Sequence, residues 1–149
     1  MTAVTAAAKT GREWVSEDGR IERIATEPDW YESYKISQAV RAGGLVYVSG
    51  QAGFTEDGRT VEGGFLAQGR QAFRNLQRVL EAAGLTFADV VKVGIFVRDM
   101  ASHLDQLIEL REEFLVKPYP ADTLIEVVAL AQPDWLIEVE VVALDRRQD

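Results

Sequence analysis

The chain has 149 residues, enough for one domain with one core, and 47% hydrophobic with 27% charged residues excludes a disordered chain. Its 16 basic and 24 acidic residues give a net charge of −8, which speaks against nucleic-acid binding, because such binding relies on lysines and arginines displacing phosphate counterions. The lack of cysteine and a single histidine, His103, remove disulfides, thiolate catalysis, most transition-metal sites and a conventional serine triad.

Residues 1–9 are small and polar and carry no apolar core of a secretory signal. Residues 1–18 are therefore expected to be a flexible tail, ahead of a single domain over 19–149. The longest apolar runs, 45–48 and 94–97, fall far below the ~20 residues of a membrane helix. A cytoplasmic protein without membrane contact is expected. Residues 20–26 (RIERIAT) predict a first strand, and 28–34 a loop with aromatic content in Trp30, Tyr31 and Tyr34. Strand-like runs at 37–41 and 45–50 flank Ala42-Gly43-Gly44 and predict a hairpin. Residues 51–64 are polar and glycine-rich, hence loop; Gly63-Gly64 lacks the lysine-serine continuation of a phosphate loop.

From Phe65 the period changes. Phe65, Leu66, Ala72, Phe73, Leu76, Val79, Leu80 and Ala83 recur at helical spacing, and Gly84 ends the run as a cap. Residues 90–97, a β-branched block, predict a strand. Ser102 and Asp105 are expected to cap a second helix that buries Leu104, Leu107, Ile108, Phe114 and Leu115 and stops before Pro118 and Pro120. Two last strands are predicted over 123–130 and 136–144, joined by residues 131–134. The expected order is β-β-β-α-β-α-β-β, and no internal repeat is evident.

Side chains alternate across a sheet, so strand parity sorts the faces. Val91, Val93, Ile95 and Val97 share one face of the fourth strand, with Lys92, Gly94, Phe96 and Arg98 on the other. The last strand turns Ile137, Val139 and Val141 one way, Glu138 and Glu140 the other. The apolar face should take both helices. The second face, which mixes charge with Phe96, Leu136 and Tyr47, reads either as solvated or as an oligomer interface with polar pockets.

Several segments, in this order, resemble the RidA/YjgF (reactive intermediate deaminase) superfamily over residues 20–145. They are Ser37-Gln38-Ala39-Val40 running through Gly44 to Ser49-Gly50-Gln51; Asn75-Leu76 with Val79 to Gly84 and Asp89 to Lys92; Phe96 to Met100; Tyr119-Pro120-Ala121; and Leu136 to Glu140. The resemblance implies an α+β, chorismate-mutase-like (YjgF-type) fold: a mixed sheet with two helices on one face, assembled as a homotrimeric barrel with substrate clefts between subunits. It further implies cofactor-independent hydrolysis of enamines and imines, such as 2-aminoacrylate, to ketones and ammonia.

In that family an arginine directly after Pro-Ala grips the substrate carboxylate, and here the position is Asp122. A family tyrosine aligns with Ile36 and a helix asparagine with Ile108, while the final-strand glutamate that positions water is kept as Glu138. The resemblance thus implies an arginine-lacking branch. The expected reaction is hydrolysis of a small imine, enamine or related nitrogenous metabolite without the usual α-carboxylate, not of 2-aminoacrylate. The alternative is a non-catalytic metabolite-binding or regulatory trimer. A ribonuclease, the third reading, is disfavoured by the acidic charge.

Glu138 and Asp122 are the candidate catalytic groups. Glu138 is a water-orienting base or a strand glutamate paired with Lys92 or Arg98. Asp122 is a ligand anchor, an acid/base partner of Glu138, or a turn-forming aspartate. Gly50, Ile36, Tyr34, Ile108, Arg98, Arg111 and Leu124 are the candidate substrate-binding residues, the two arginines being either anion sites or salt-bridge partners. Trp30 covers a cleft or packs in its loop with Tyr34. His103 is expected to face solvent, and no metal or cofactor is expected.

Overall fold

The alternation in the last strand organises the sheet. In the computed structural model, which describes residues 12–148, the elements are β1 Arg12–Val15, β2 Ile21–Ile24, β3 Ala39–Ala42, β4 Leu45–Ala52, α1 Gly64–Ala82, β5 Val90–Val97, α2 Met100–Phe114, β6 Ala121–Glu126 and β7 Ile137–Leu144. One seven-stranded sheet runs β1-β2-β3-β4-β7-β5-β6, with β5 and β6 parallel and all other neighbours antiparallel. The last strand therefore sits inside the sheet, between β4 and β5.

Ile137, Val139, Val141 and Ala143 are buried together with Val46, Val48, Val93, Ile95 and Val97 beneath the apolar stripe of α1: Phe65, Ala72, Phe73, Leu76, Val79 and Leu80. Gly84, at φ +77°, ends α1, and the Leu85 N–H donates back to the Leu80 carbonyl, a left-handed closure that glycine takes without steric cost. Leu107 and Leu110 of α2 join this core, and Phe114 stacks on Phe73 with ring centroids 4.9 Å apart. Both helices cover one face of a mixed sheet, as expected.

Five expectations are corrected. Residues 12–15, inside the stretch read as a flexible tail, form β1 and pair with β2; residues 1–11 lie outside the described residues. On β5 a register shift between Val90 and Lys92 turns Val90 inward and leaves Val91 exposed, breaking simple parity. Ser102 and Asp105 lie inside α2, whose cap position is Asp99 at φ 52° without a side-chain capping bond. Leu104 and Ile108 are exposed, because residues four apart share one helical stripe while Leu107, Leu110 and Phe114 form the stripe that meets α1. His103 does not simply face solvent: its ring stacks on Phe65 at 4.3 Å.

The face of the sheet opposite the helices is bare. Tyr47 is 48% exposed there, and Glu140 is exposed, with Glu138 half-buried beside it. Among the described residues no helix is long and apolar enough to cross a membrane.

Candidate active site

On that bare side lies a cavity of about 680 Å³. Its floor comes from β7, whose two-residue period sends Glu138 and Glu140 away from the core. Each glutamate crosses a glycine on a neighbouring strand. A Cβ at Gly50 would stand 2.0 Å from Glu138 Oε1, and one at Gly94 would stand 3.0 Å from Glu140 Oε1. Gly50 sits where the β4–β7 register shifts between Val48 and Gln51, which brings that stretch of β4 across the Glu138 carboxylate.

The walls are aromatic. The Tyr31 hydroxyl donates to the Gly50 carbonyl at 2.5 Å, and Trp30 Nε1 donates to Gln51 Oε1 at 3.2 Å. Phe54 meets Trp30 edge-on at 6.3 Å and stacks on Trp135 at 5.5 Å, while Trp135 Nε1 donates to Thr60 Oγ1 at 3.2 Å. Burial holds the Glu138 carboxyl above its ordinary proton affinity, and the charge of Glu140 adds to this. Burial and then the charge of Glu138 likewise push the Tyr31 hydroxyl up, so it stays protonated and a donor. Among the described residues Glu138 has no ion-pair partner: Lys92 Nζ donates to Thr123 Oγ1 at 2.5 Å, and Arg98 Nη1 donates to the Pro133 carbonyl at 2.5 Å. No group of three or more His, Asp or Glu residues among the described residues is placed to hold a metal ion.

The endoribonuclease L-PSP family profile matches residues 26–145. The chain belongs to this family, the RidA/YjgF superfamily. YjgH, a RutC family protein of Escherichia coli (strain K12), is 40% identical over 124 residues, which span 80% of this chain and 94% of its own length. A 2-iminobutanoate/2-iminopropanoate deaminase of Dermatophagoides farinae is 36% identical over 105 residues, 70% of this chain and 80% of its own. The crystal structure of RidA from an Antarctic Psychrobacter bacterium matches with a TM-score of 0.68 at 38% identity, covering 73% of this chain and 87% of that one.

The deaminase relatives correct the expected substrate. They are named for imines that carry the α-carboxylate, so the RidA resemblance gives no ground for moving the substrate class away from them. The sign reversal at residue 122 that motivated the expectation is also cancelled locally. Asp122 accepts a two-pronged grip from Arg111, Nε to Oδ2 at 3.0 Å and Nη2 to Oδ1 at 2.6 Å, so no bare carboxylate stands there.

Of the candidate residues, Glu138, Gly50, Tyr34 and Ile36 come together around the cavity. Asp122 does not line it: it lies in β6 rather than in a turn, paired with Val93 of β5, which is in turn paired with Val141 of β7. Asp122 and Glu138 thus do not meet within one chain. Arg111 is occupied by Asp122, Arg98 by a backbone carbonyl, Ile108 lies exposed on α2, and Leu124 packs partly buried against the core. Trp30 packs with Tyr31 and Phe54 and also lines the cavity, while Tyr34 stands 68% exposed at its rim. Tyr31, Phe54 and Trp135 were not singled out from sequence. Their only signal was that Tyr31, Phe54 and Trp135 fall outside the predicted strands and helices, where aromatic side chains have no strand or helix periodicity to explain them.

Proposed function

We propose that this chain is a hydrolytic deaminase of 2-imino acids, the class to which 2-iminobutanoate and 2-iminopropanoate belong. Family membership and the deaminase relatives support an imine-hydrolysing enzyme. The observation that carries the reading to particular atoms is Glu138: a half-buried carboxylate, without a cation among the described residues, held over Gly50 in an aromatic cavity. Its raised proton affinity brings it nearer neutrality, which suits a group that must both take and return a proton.

In the proposed reaction Glu138 takes a proton from water as the water oxygen bonds to the imine carbon and the C=N π electrons move to nitrogen. Glu138 then returns that proton to the nitrogen, giving the carbinolamine. It next takes the proton of the new hydroxyl and passes it to the amine, so that C=O forms as the C–N bond breaks, and a 2-oxo acid and ammonia leave. Water supplies the oxygen and the hydrogens, so no redox partner is required. The hydrogen bond from Tyr31 to the Gly50 carbonyl fixes the strand segment against which Glu138 rests.

The working unit is proposed to be a homotrimer, its sheets meeting through the bare face that carries Tyr47, Phe96, Glu138 and Glu140. Absence of RNA binding, a cytoplasmic location and assignment to an arginine-lacking branch belong to the same proposal, the last resting on Asp122 after Pro120-Ala121. The test is oxo-acid and ammonia release from 2-iminobutanoate generated in place, compared with Glu138→Gln. Glutamine keeps the shape and loses the base, so turnover should fall roughly 10²-fold or more with little change in KM. Full turnover in Glu138→Gln removes the mechanism. Binding of the imine without turnover by the unaltered protein replaces the enzyme with a metabolite-binding trimer.

A further inference from the structure

We propose that Gln68 and Asn75, two buried amides on one side of α1, are positioning residues for Glu138, fixing the two stretches of chain that flank its carboxylate. The proposal rests on the deaminase reading above. Gln68 is 4% exposed and Asn75 3%, and both are buried with the apolar stripe of the helix. Their separation of seven residues, two helical turns, puts them on one face. A buried amide is costly unless its hydrogen bonds are met, and an apolar side chain would serve the core without that demand.

Gln68 spans Trp135. Its Nε2 donates to the Asp134 carbonyl at 2.9 Å, and its Oε1 accepts from the Leu136 N–H at 2.8 Å. One side chain thus supplies the pair of bonds that a neighbouring strand would make, just ahead of β7. Glu138 follows two residues later. Asn75 spans Gly53. Its Nδ2 donates to the Ala52 carbonyl at 3.1 Å and the Phe54 carbonyl at 3.0 Å, and Gln71 Nε2 donates to its Oδ1 at 2.9 Å. Ala52 is the ladder partner of Glu138. The chain passes close to the helix here, since a Cβ at Gly53 would fall 2.5 Å from Gln68 Cα.

The two stretches meet at the cavity. Trp135, between the groups that Gln68 holds, stacks on Phe54, whose carbonyl Asn75 holds. Both rings line the cavity with Glu138, whose carboxyl owes its raised proton affinity first to burial. Release of either stretch lets the carboxylate shift against Gly50 and admits water to it. Every group in this clamp belongs to one chain, so the clamp is complete without a second subunit.

The experiment follows 2-iminobutanoate hydrolysis per folded molecule against pH in Gln68→Met, Gln68→Glu and Asn75→Leu. Arg41→Met, which breaks a buried ion pair with Glu22 outside the cavity, is the control for lost stability. Gln68→Met fills similar space without the bonds. Its kcat should fall about tenfold or more with little change in KM, and the acid limb of kcat/KM should move to lower pH as Glu138 gains water. Asn75→Leu should move both readings the same way by less, because it acts on the strand beside Glu138. In Gln68→Glu the protonated acid still donates to the Asp134 carbonyl and accepts from the Leu136 N–H, whereas the ionised form has no proton to donate. Its kcat relative to the unaltered protein should be near one on the acid side and fall toward that of Gln68→Met as pH rises. Arg41→Met should keep both kcat and limb. An unchanged kcat and limb in Gln68→Met overturns the proposal. Should that variant not fold, a relative kcat of Gln68→Glu that does not vary with pH overturns it instead. An equal loss in Arg41→Met also does so, because kcat then follows stability and not position. No hydrolysis by the unaltered protein overturns the deaminase reading itself, and the role of the clamp with it.

Discussion

Two acid-rich regions of this sheet treat their carboxylates in opposite ways. At one corner Glu22, Arg41 and Asp145 are each less than 10% exposed. Arg41 meets Glu22 Oε1 at 3.1 Å through Nη1 and the Ala83 carbonyl at 2.6 Å through Nη2. Its Nε lies 3.0 Å from Asp145 Oδ2, close enough for the charges but not aligned as a hydrogen bond. Arg147 adds a contact to Glu22 at 2.8 Å. This corner ties β2 and β3 to the chain beyond β7. In the cavity, Glu138 and Glu140 have the same chemistry and, among the described residues, no cation. A buried charge is tolerated where a partner meets it, and leaving Glu138 unmet holds a proton-active carboxylate ready at some cost in stability.

The largest expected effect breaks the paired corner. Arg41→Met removes the cation shared by two buried carboxylates and should destabilise the fold by about 3 kcal/mol, measured by urea unfolding near neutral pH. Imine hydrolysis per folded molecule should be unchanged. A loss below about 1 kcal/mol would mean that the corner's remaining contacts, Arg147 among them, suffice to hold it. Next in size is Gly50→Ala. The added Cβ would fall 2.0 Å from Glu138 Oε1, so something must move, and the flexible end of Glu138 is the cheapest to displace. Turnover should therefore drop roughly tenfold, as when a catalytic group is misplaced, with a stability change of no more than about 1 kcal/mol. Wild-type turnover would show that Glu138 does not act from the position described.

How far each region was legible in the sequence follows from the range of the contacts that make it. Glu138 and Glu140 were legible because a two-residue period is local: once residues 137–141 read as a strand, Ile137, Val139 and Val141 decide which way the glutamates turn. The core stripe of α1 was legible for the same reason. Tyr31 and Trp135 were not, since both pack on Phe54, and residues 31 and 135 are brought together only by the folded sheet. Val91 was misjudged because a register shift against β7 is a property of two strands, not one. Ile108 and Leu104 were misjudged because α2 carries two apolar stripes, and only packing against α1 selects between them. Asp122 could be read as a reversed charge, whereas its neutralisation by Arg111, on the preceding helix, appears only in the structure.

The smallest expected effect sharpens the comparison within the cavity itself. Glu138 must be ionised to take a proton from water, so activity should rise with pH through its titration, which lies above its ordinary 4.5 because of burial first and the charge of Glu140 second. Glu140→Gln removes only the second cause. The acid limb of the kcat/KM profile should then move to lower pH while staying above the limb of an unburied glutamate. Stability responds with the matching sign. The native state binds this proton more tightly than the unfolded chain does, so Glu138 contributes stability below its unfolded titration, and the contribution is lost as pH rises through the folded one. Glu138→Gln should therefore leave stability at neutral pH unchanged or raised, the reverse of Arg41→Met. An acid limb that does not move in Glu140→Gln, or moves upward, would mean that the two glutamates do not share the cavity charge, and the contrast with the paired corner would rest on burial alone.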